Sequence, residues 1–76
     1  MKFKYIDVNF EICHGKPVFK GTRILVSDVL ELLAAGRSMK EILGEYPKLS
    51  EEMIREALMF ASSILRRGGY VIKIST

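Results

Sequence analysis

Tryptophan is absent from this 76-residue sequence, and cysteine and histidine occur once each, as the neighbours Cys13 and His14. One cysteine excludes an internal disulfide, and one cysteine with one histidine falls short of a four-ligand zinc site. Long apolar runs are missing too: no stretch approaches the twenty or so residues a membrane helix needs, and no signal segment is visible. These absences set the first expectations: a cytoplasmic protein with no membrane association, no metal and no cofactor. A chain of this length holds one domain, and folding buries only about 60% of the surface that the unfolded chain exposes. Without disulfide or metal, self-association is the expected route to extra stability, so a homo-oligomer is anticipated, with exposed strand edges pairing across a two-fold axis.

The net charge of +3 is unevenly spread. Residues 1–25 carry five lysines and arginines against two acids, residues 26–65 carry four against seven, and residues 66–76 carry three against none. Basic ends around an acidic middle suit an anionic partner such as nucleic acid, and they also suit a merely solvated face. Charge alone leaves both open.

The acidic middle has helical spacing. The first helix is predicted over 28–35, with Ser27 as N-cap and Gly36 as the stop; Val29, Leu30, Leu32 and Leu33 make it the most buried element. A second helix opens at Ser38, where Glu41 three residues on completes a capping box, and Pro47 ends it. A third runs over 51–66 after Ser50, with Met53, Ile54, Ala57, Leu58, Ala61, Ile64 and Leu65 on one face. Its glutamates at the start and Arg66 and Arg67 at the end both complement the helix dipole.

The ends read as strands. Residues 5–12 alternate, with Ile6, Val8, Phe10 and Ile12 on the face expected to be buried. Residues 17–20 form a second extended piece between turns at His14-Gly15 and Gly21-Thr22. After Gly68 and Gly69, the β-branched residues that follow Tyr70 suggest a third strand or an arm. The expected class is α+β: residues 1–25 a β element, 26–66 three helices, 67–76 a C-terminal strand or arm.

Three kinds of chemistry compete for the segment ICHGKPVFKGTRI. Cys13 and His14 as nucleophile and base are disfavoured, because adjacent extended residues point apart and no acid is placed to orient the histidine. A phosphate loop needs Gly-Lys-Ser/Thr running straight into a helix, and Lys16 is followed by Pro17. An enzyme is therefore not expected. A β element whose basic side chains face an acidic surface remains, making Lys16, Lys20, Thr22 and Arg23 the candidate DNA contacts. Arg23 also has a structural alternative, an ion pair with Asp28 or Glu31. Helices two and three could form a helix-turn-helix, but Glu51 and Glu52 would then meet the phosphates. Met59 lies at the edge of the apolar stripe of helix three and marks a protein interface.

Residues 10–62 resemble a bacterial and archaeal family, domain of unknown function (DUF) 433. The resemblance rests on Ile12-Cys13, Gly15-Lys16-Pro17, Gly21-Thr22-Arg23-Ile24, Leu32-Leu33-Ala34-Ala35-Gly36, Glu41-Ile42-Leu43, Tyr46-Pro47, Leu49 and Ile54-Arg55 with Ala57-Leu58. His14 stands where the family commonly has glycine, and Leu25 where it commonly has proline. The resemblance implies a homeodomain-like, helix-turn-helix-like domain with a short N-terminal β element. It implies the role of an antitoxin that neutralises a PIN-like nuclease toxin and binds operator DNA as a dimer. Alternatives are a transcriptional regulator without a toxin, or a structural oligomerisation module. On the antitoxin reading, Met59, Arg66, Arg67, Tyr70, Val71, Ile72 and Ile74 are the expected partner contacts, the last four as a strand added to the partner's sheet; the alternative for the tail is pairing with the chain's own N-terminal strand or with that of a second copy.

Overall fold

The computed structural model describes residues 3–68. In chain order they form β1 (Ile6–Asp7), a left-handed turn (Cys13–Gly15), β2 (Val18–Phe19), α1 (Val26–Ala34), α2 (Met39–Glu45) and α3 (Glu51–Arg67). The α+β class, with three helices behind a short N-terminal β element, is the one the composition and periodicity predict.

β1 and β2 pair antiparallel, Ile6 opposite Phe19 and Asp7 opposite Val18. Val18 also bridges to Leu25, so the chain reverses a second time through residues 20–23. Gly21 at φ +79 supplies the left-handed residue this turn requires. The expected strand over 5–12 is corrected to two residues. Asn9 stops it: its Oδ1 accepts the Glu11 N–H and its carbonyl accepts the Ile12 N–H, both at 2.9 Å. Such local bonds offer the backbone an alternative to a sheet ladder. Val8 and Phe10, expected beside Ile6 on the buried face, are instead 55% and 91% exposed.

The first helix starts earlier than its capping signal suggests. Its N-cap is Leu25, with no side-chain cap, and Ser27 lies inside the helix. The Val26 N–H donates to the Pro17 carbonyl at 3.0 Å, so the β element satisfies a donor that a serine hydroxyl would otherwise take. Gly36, at φ +90, ends α1 as expected. The Gly36 N–H donates to Leu33 and the Arg37 N–H to Leu32, each at 3.0 Å, the paired bonds of a Schellman cap. α2 has its full capping box, the Ser38 N–H on Glu41 Oε1 at 2.9 Å and the Glu41 N–H on Ser38 Oγ at 3.1 Å. Ser50 caps α3 by a single bond, its Oγ accepting the Met53 N–H at 3.2 Å.

α1 packs against both α2 and α3. The core joins Ile6 and Phe19 from the hairpin, Val26 and Val29 from α1, Ile42 from α2, Leu49 from the following turn, and Ile54 and Ala57 from α3. Phe19 is fully buried, which ties the hairpin to the helices. A polar clamp adds to this. The Glu56 carboxylate accepts the backbone N–H groups of Lys4 at 2.8 Å and Tyr5 at 2.5 Å, and the Tyr5 hydroxyl donates to Glu52 at 2.6 Å. Phe3 closes edge-on against Phe60, ring centroids 5.2 Å apart.

Candidate functional site

Two turns meet on one side of the molecule. The first, residues 20–23, is held by Thr22: its hydroxyl donates to the Phe19 carbonyl at 2.7 Å and accepts the Ile24 N–H at 3.0 Å. The second, residues 46–50, follows α2; Pro47 cannot continue the helix, and the Leu49 N–H donates to the Tyr46 carbonyl at 2.9 Å. Leu49 anchors this turn in the core.

Between the turns lies an open groove with two adjoining lobes. One lobe, about 470 Å³, is lined by Asp7, Ile12, Val18, Gly21, Thr22, Arg23 and Lys48. The other, about 410 Å³, shares Thr22, Arg23 and Lys48 and adds Ile24, Glu45, Tyr46 and Pro47. Two cations, 25 positions apart in sequence, thus face one depression with an apolar floor. Both are exposed, and among the described residues neither has an ion-pair partner. The pairing of Arg23 with Asp28 or Glu31 that the sequence allows is not formed. Of the carboxylates on the rim, Glu45 is already held by Arg37 at 3.6 Å.

The candidate DNA contacts therefore divide. Arg23 and Thr22 line the groove, but the Thr22 hydroxyl is spent on its own turn. Lys16 and Lys20 are exposed on the β element and do not line the groove. Lys48 is not apparent from the sequence because nothing local joins it to Arg23; only the packing of the two turns does. Cys13 and His14 sit in the left-handed turn with φ of 50 and 58. The Cys13 thiol donates to the Arg23 carbonyl at 3.8 Å, which ties that turn to the loop that carries Arg23. Among the described residues, no cluster of three or more potential metal ligands occurs.

The start of α3 is occupied differently. Glu51 is paired with Arg55 at 2.7 Å, Glu52 accepts the Tyr5 hydroxyl, and Glu56 holds the strand backbone. Farther along, Met59 and Arg66 border a small depression of about 110 Å³ with Ser62 and Ser63, and Arg67 is the exposed last residue of the helix. Tyr70, Val71, Ile72 and Ile74 lie outside the described residues.

Comparison with known proteins is consistent along the chain. Residues 6–61 match the model of the family described as "Protein of unknown function (DUF433)". An uncharacterised protein of Sinorhizobium fredii (strain NBRC 101917 / NGR234), y4eO, is 41% identical over 58 residues, 76% of this chain and 26% of that protein. This chain thus spans about a quarter of that relative's length. The crystal structure of a DUF433 member from Anabaena variabilis ATCC 29413 superposes with a TM-score of 0.76 at 25% identity. That match covers 83% of this chain and 62% of the other.

Proposed function

We propose that this chain, which belongs to the DUF433 family of proteins of unknown function, is a non-enzymatic regulator: an antitoxin that neutralises a PIN-like nuclease and binds operator DNA. The observation that carries the nucleic-acid half is the groove in which Arg23 and Lys48 stand together, neither forming an ion pair with Asp7 or Glu45, the two carboxylates that line it with them. A guanidinium grips a phosphate through two parallel hydrogen bonds and an ammonium adds a point charge, so the two together suit a phosphodiester backbone. The apolar floor of Ile24, Tyr46 and Pro47 gives the sugar or base edge a surface to lie on.

The homeodomain-like reading keeps α2 and α3 as the helix pair and residues 46–50 as its turn. It differs from the usual docking in one respect. Base-reading helices approach with their first turns, and here that turn presents Glu51 and Glu52, which repel phosphates. The contact is therefore assigned to the hairpin turn and to Lys48 beside it. The toxin half rests on the resemblance and on the exposed Met59, Arg66 and Arg67, whose guanidiniums complement the carboxylates of a metal-dependent nuclease.

Co-expression with the product of the neighbouring gene tests the toxin half. Co-purification and loss of the nuclease activity are expected, with Arg66→Ala/Arg67→Ala weakening both. A neighbour that neither binds nor is inhibited, beside intact binding to the adjacent promoter, would leave a regulator without a toxin.

A further inference from the structure

Arg23 and Lys48 do not account for every charged group in their groove. Asp7 lines the first lobe with them, and among the described residues its carboxylate has neither an ion pair nor a side-chain hydrogen bond. Its place is fixed. β1 sets it directly opposite Val18, which is buried and lines the same lobe, so the two side chains stand on one face of the hairpin. The preceding Ile6 belongs to the core, and the Glu56 clamp on Lys4 and Tyr5 secures the start of the strand. The other acid of the groove, Glu45, lines the second lobe and is held by Arg37. A phosphate offers only acceptor oxygens, so Asp7 repels the group that Arg23 and Lys48 attract. A ligand that suits all three carries an anion and N–H donors together, as a nucleotide does.

We propose that Asp7 is the base-reading residue of this groove and that it selects an unpaired guanine. The inference rests on the nucleic-acid reading of the groove and narrows its ligand. A carboxylate presents two acceptor oxygens side by side. Guanine is the base whose pairing edge offers two adjacent N–H donors, at N1 and N2. Adenine and cytosine set an acceptor nitrogen beside their amino group, and thymine flanks its one N–H with carbonyls. In a duplex the guanine N1–H is already taken by cytosine, and base edges lie on the floor of a groove about 8.5 Å deep that a protruding element must enter. Asp7 lies instead in a depression between two turns, so a base reaches it only from outside the stack. At about 470 Å³ the lobe falls within the size range of small-ligand sites. A duplex still offers its phosphates to Arg23 and Lys48; an unpaired strand offers a base as well.

Fluorescence anisotropy with short labelled single strands tests this, thymine alternating with guanine, hypoxanthine or adenine. Hypoxanthine is guanine without its N2 amino group, so the first two strands differ by one of the two proposed bonds. The wild type is expected to bind the guanine strand about tenfold more tightly than the hypoxanthine strand. Asp7→Ala should erase that difference with thermal unfolding unchanged, since the carboxylate has no folded partner among the described residues. Asp7→Asn, whose amide pairs one donor with one acceptor, should shift the preference to adenine, and it decides the matter if Asp7→Ala does not fold. A merely repelling acid gives a different result: either variant would tighten all three strands equally. That outcome, or wild-type binding equal for all three, or binding of the duplex promoter alone, would overturn the inference and leave the phosphate-binding groove standing. Binding of neither the strands nor the duplex would overturn the groove reading with it.

Discussion

Glu56→Ala should loosen the hairpin that carries Arg23. The carboxylate receives two successive backbone N–H groups, from Lys4 and Tyr5, across more than fifty residues of sequence. A hydrogen bond to a charged group contributes about 1.5–3 kcal/mol when shielded from water. Lys4 is exposed and Tyr5 half-buried, so the lower end applies, and the pair together contributes about 2–3 kcal/mol. For a domain of this size each kcal/mol moves the melting temperature by about 4–8 °C, so thermal unfolding should fall by roughly 10–20 °C. Alanine has the higher helix propensity, so any loss cannot come from α3 itself. Glu56→Gln keeps an acceptor but not the charge and should recover about half of the loss. Thermal unfolding followed by circular dichroism reads the stability, and amide exchange at Lys4 and Tyr5 reads the clamp. A fall below about 3 °C in Glu56→Ala would refute the role given to the carboxylate.

Three further outcomes follow from the fold. The Glu41 carboxyl is held below its usual pKa of 4.5 by its bond from the Ser38 backbone, then by the Ser38 side chain and the charge of Arg37. A depressed folded pKa means that its stabilising effect is complete above about pH 4.5 and is lost as pH falls through the folded value. Nuclear magnetic resonance titration should show this carboxyl titrating below 4.5 and moving upward in Ser38→Ala. Phe19→Ala removes a fully buried ring joining hairpin to helices; about 3–5 kcal/mol is lost, and no cooperative thermal transition should survive at 37 °C. Gly36→Ala forces a methyl into φ +90 and should cost about 1–2 kcal/mol in chemical denaturation, although nothing lies within 4 Å of the added carbon.

Signals that act within a few residues were legible in the sequence. The Ser38–Glu41 box, Ser50 before α3, Pro47 after α2 and Gly36 after α1 each specify their own helix end through local bonds. Ser27 misled because the competing partner for the Val26 N–H was the carbonyl of Pro17, nine residues back. The alternation over residues 5–12 misled because Asn9 bonds its own neighbours more readily than a sheet partner. His14, at φ +58, holds a left-handed conformation that glycine takes without strain, a constraint the sequence alone does not reveal. The site divided in the same way. Arg23 stood out on its own loop, whereas Lys48 became its neighbour only through the burial of Leu49 and Phe19 on either side.

The groove itself is tested most directly by the salt dependence of DNA binding. The logarithm of the affinity for the adjacent promoter should fall linearly with the logarithm of salt concentration, and removing one phosphate-neutralising cation lowers that slope by about 0.9. Arg23→Ala/Lys48→Ala should therefore flatten the slope by about two and weaken binding at low salt, with thermal unfolding unchanged because neither side chain has a folded partner among the described residues. An unchanged slope and affinity in this double variant, with the fold intact, would contradict the account.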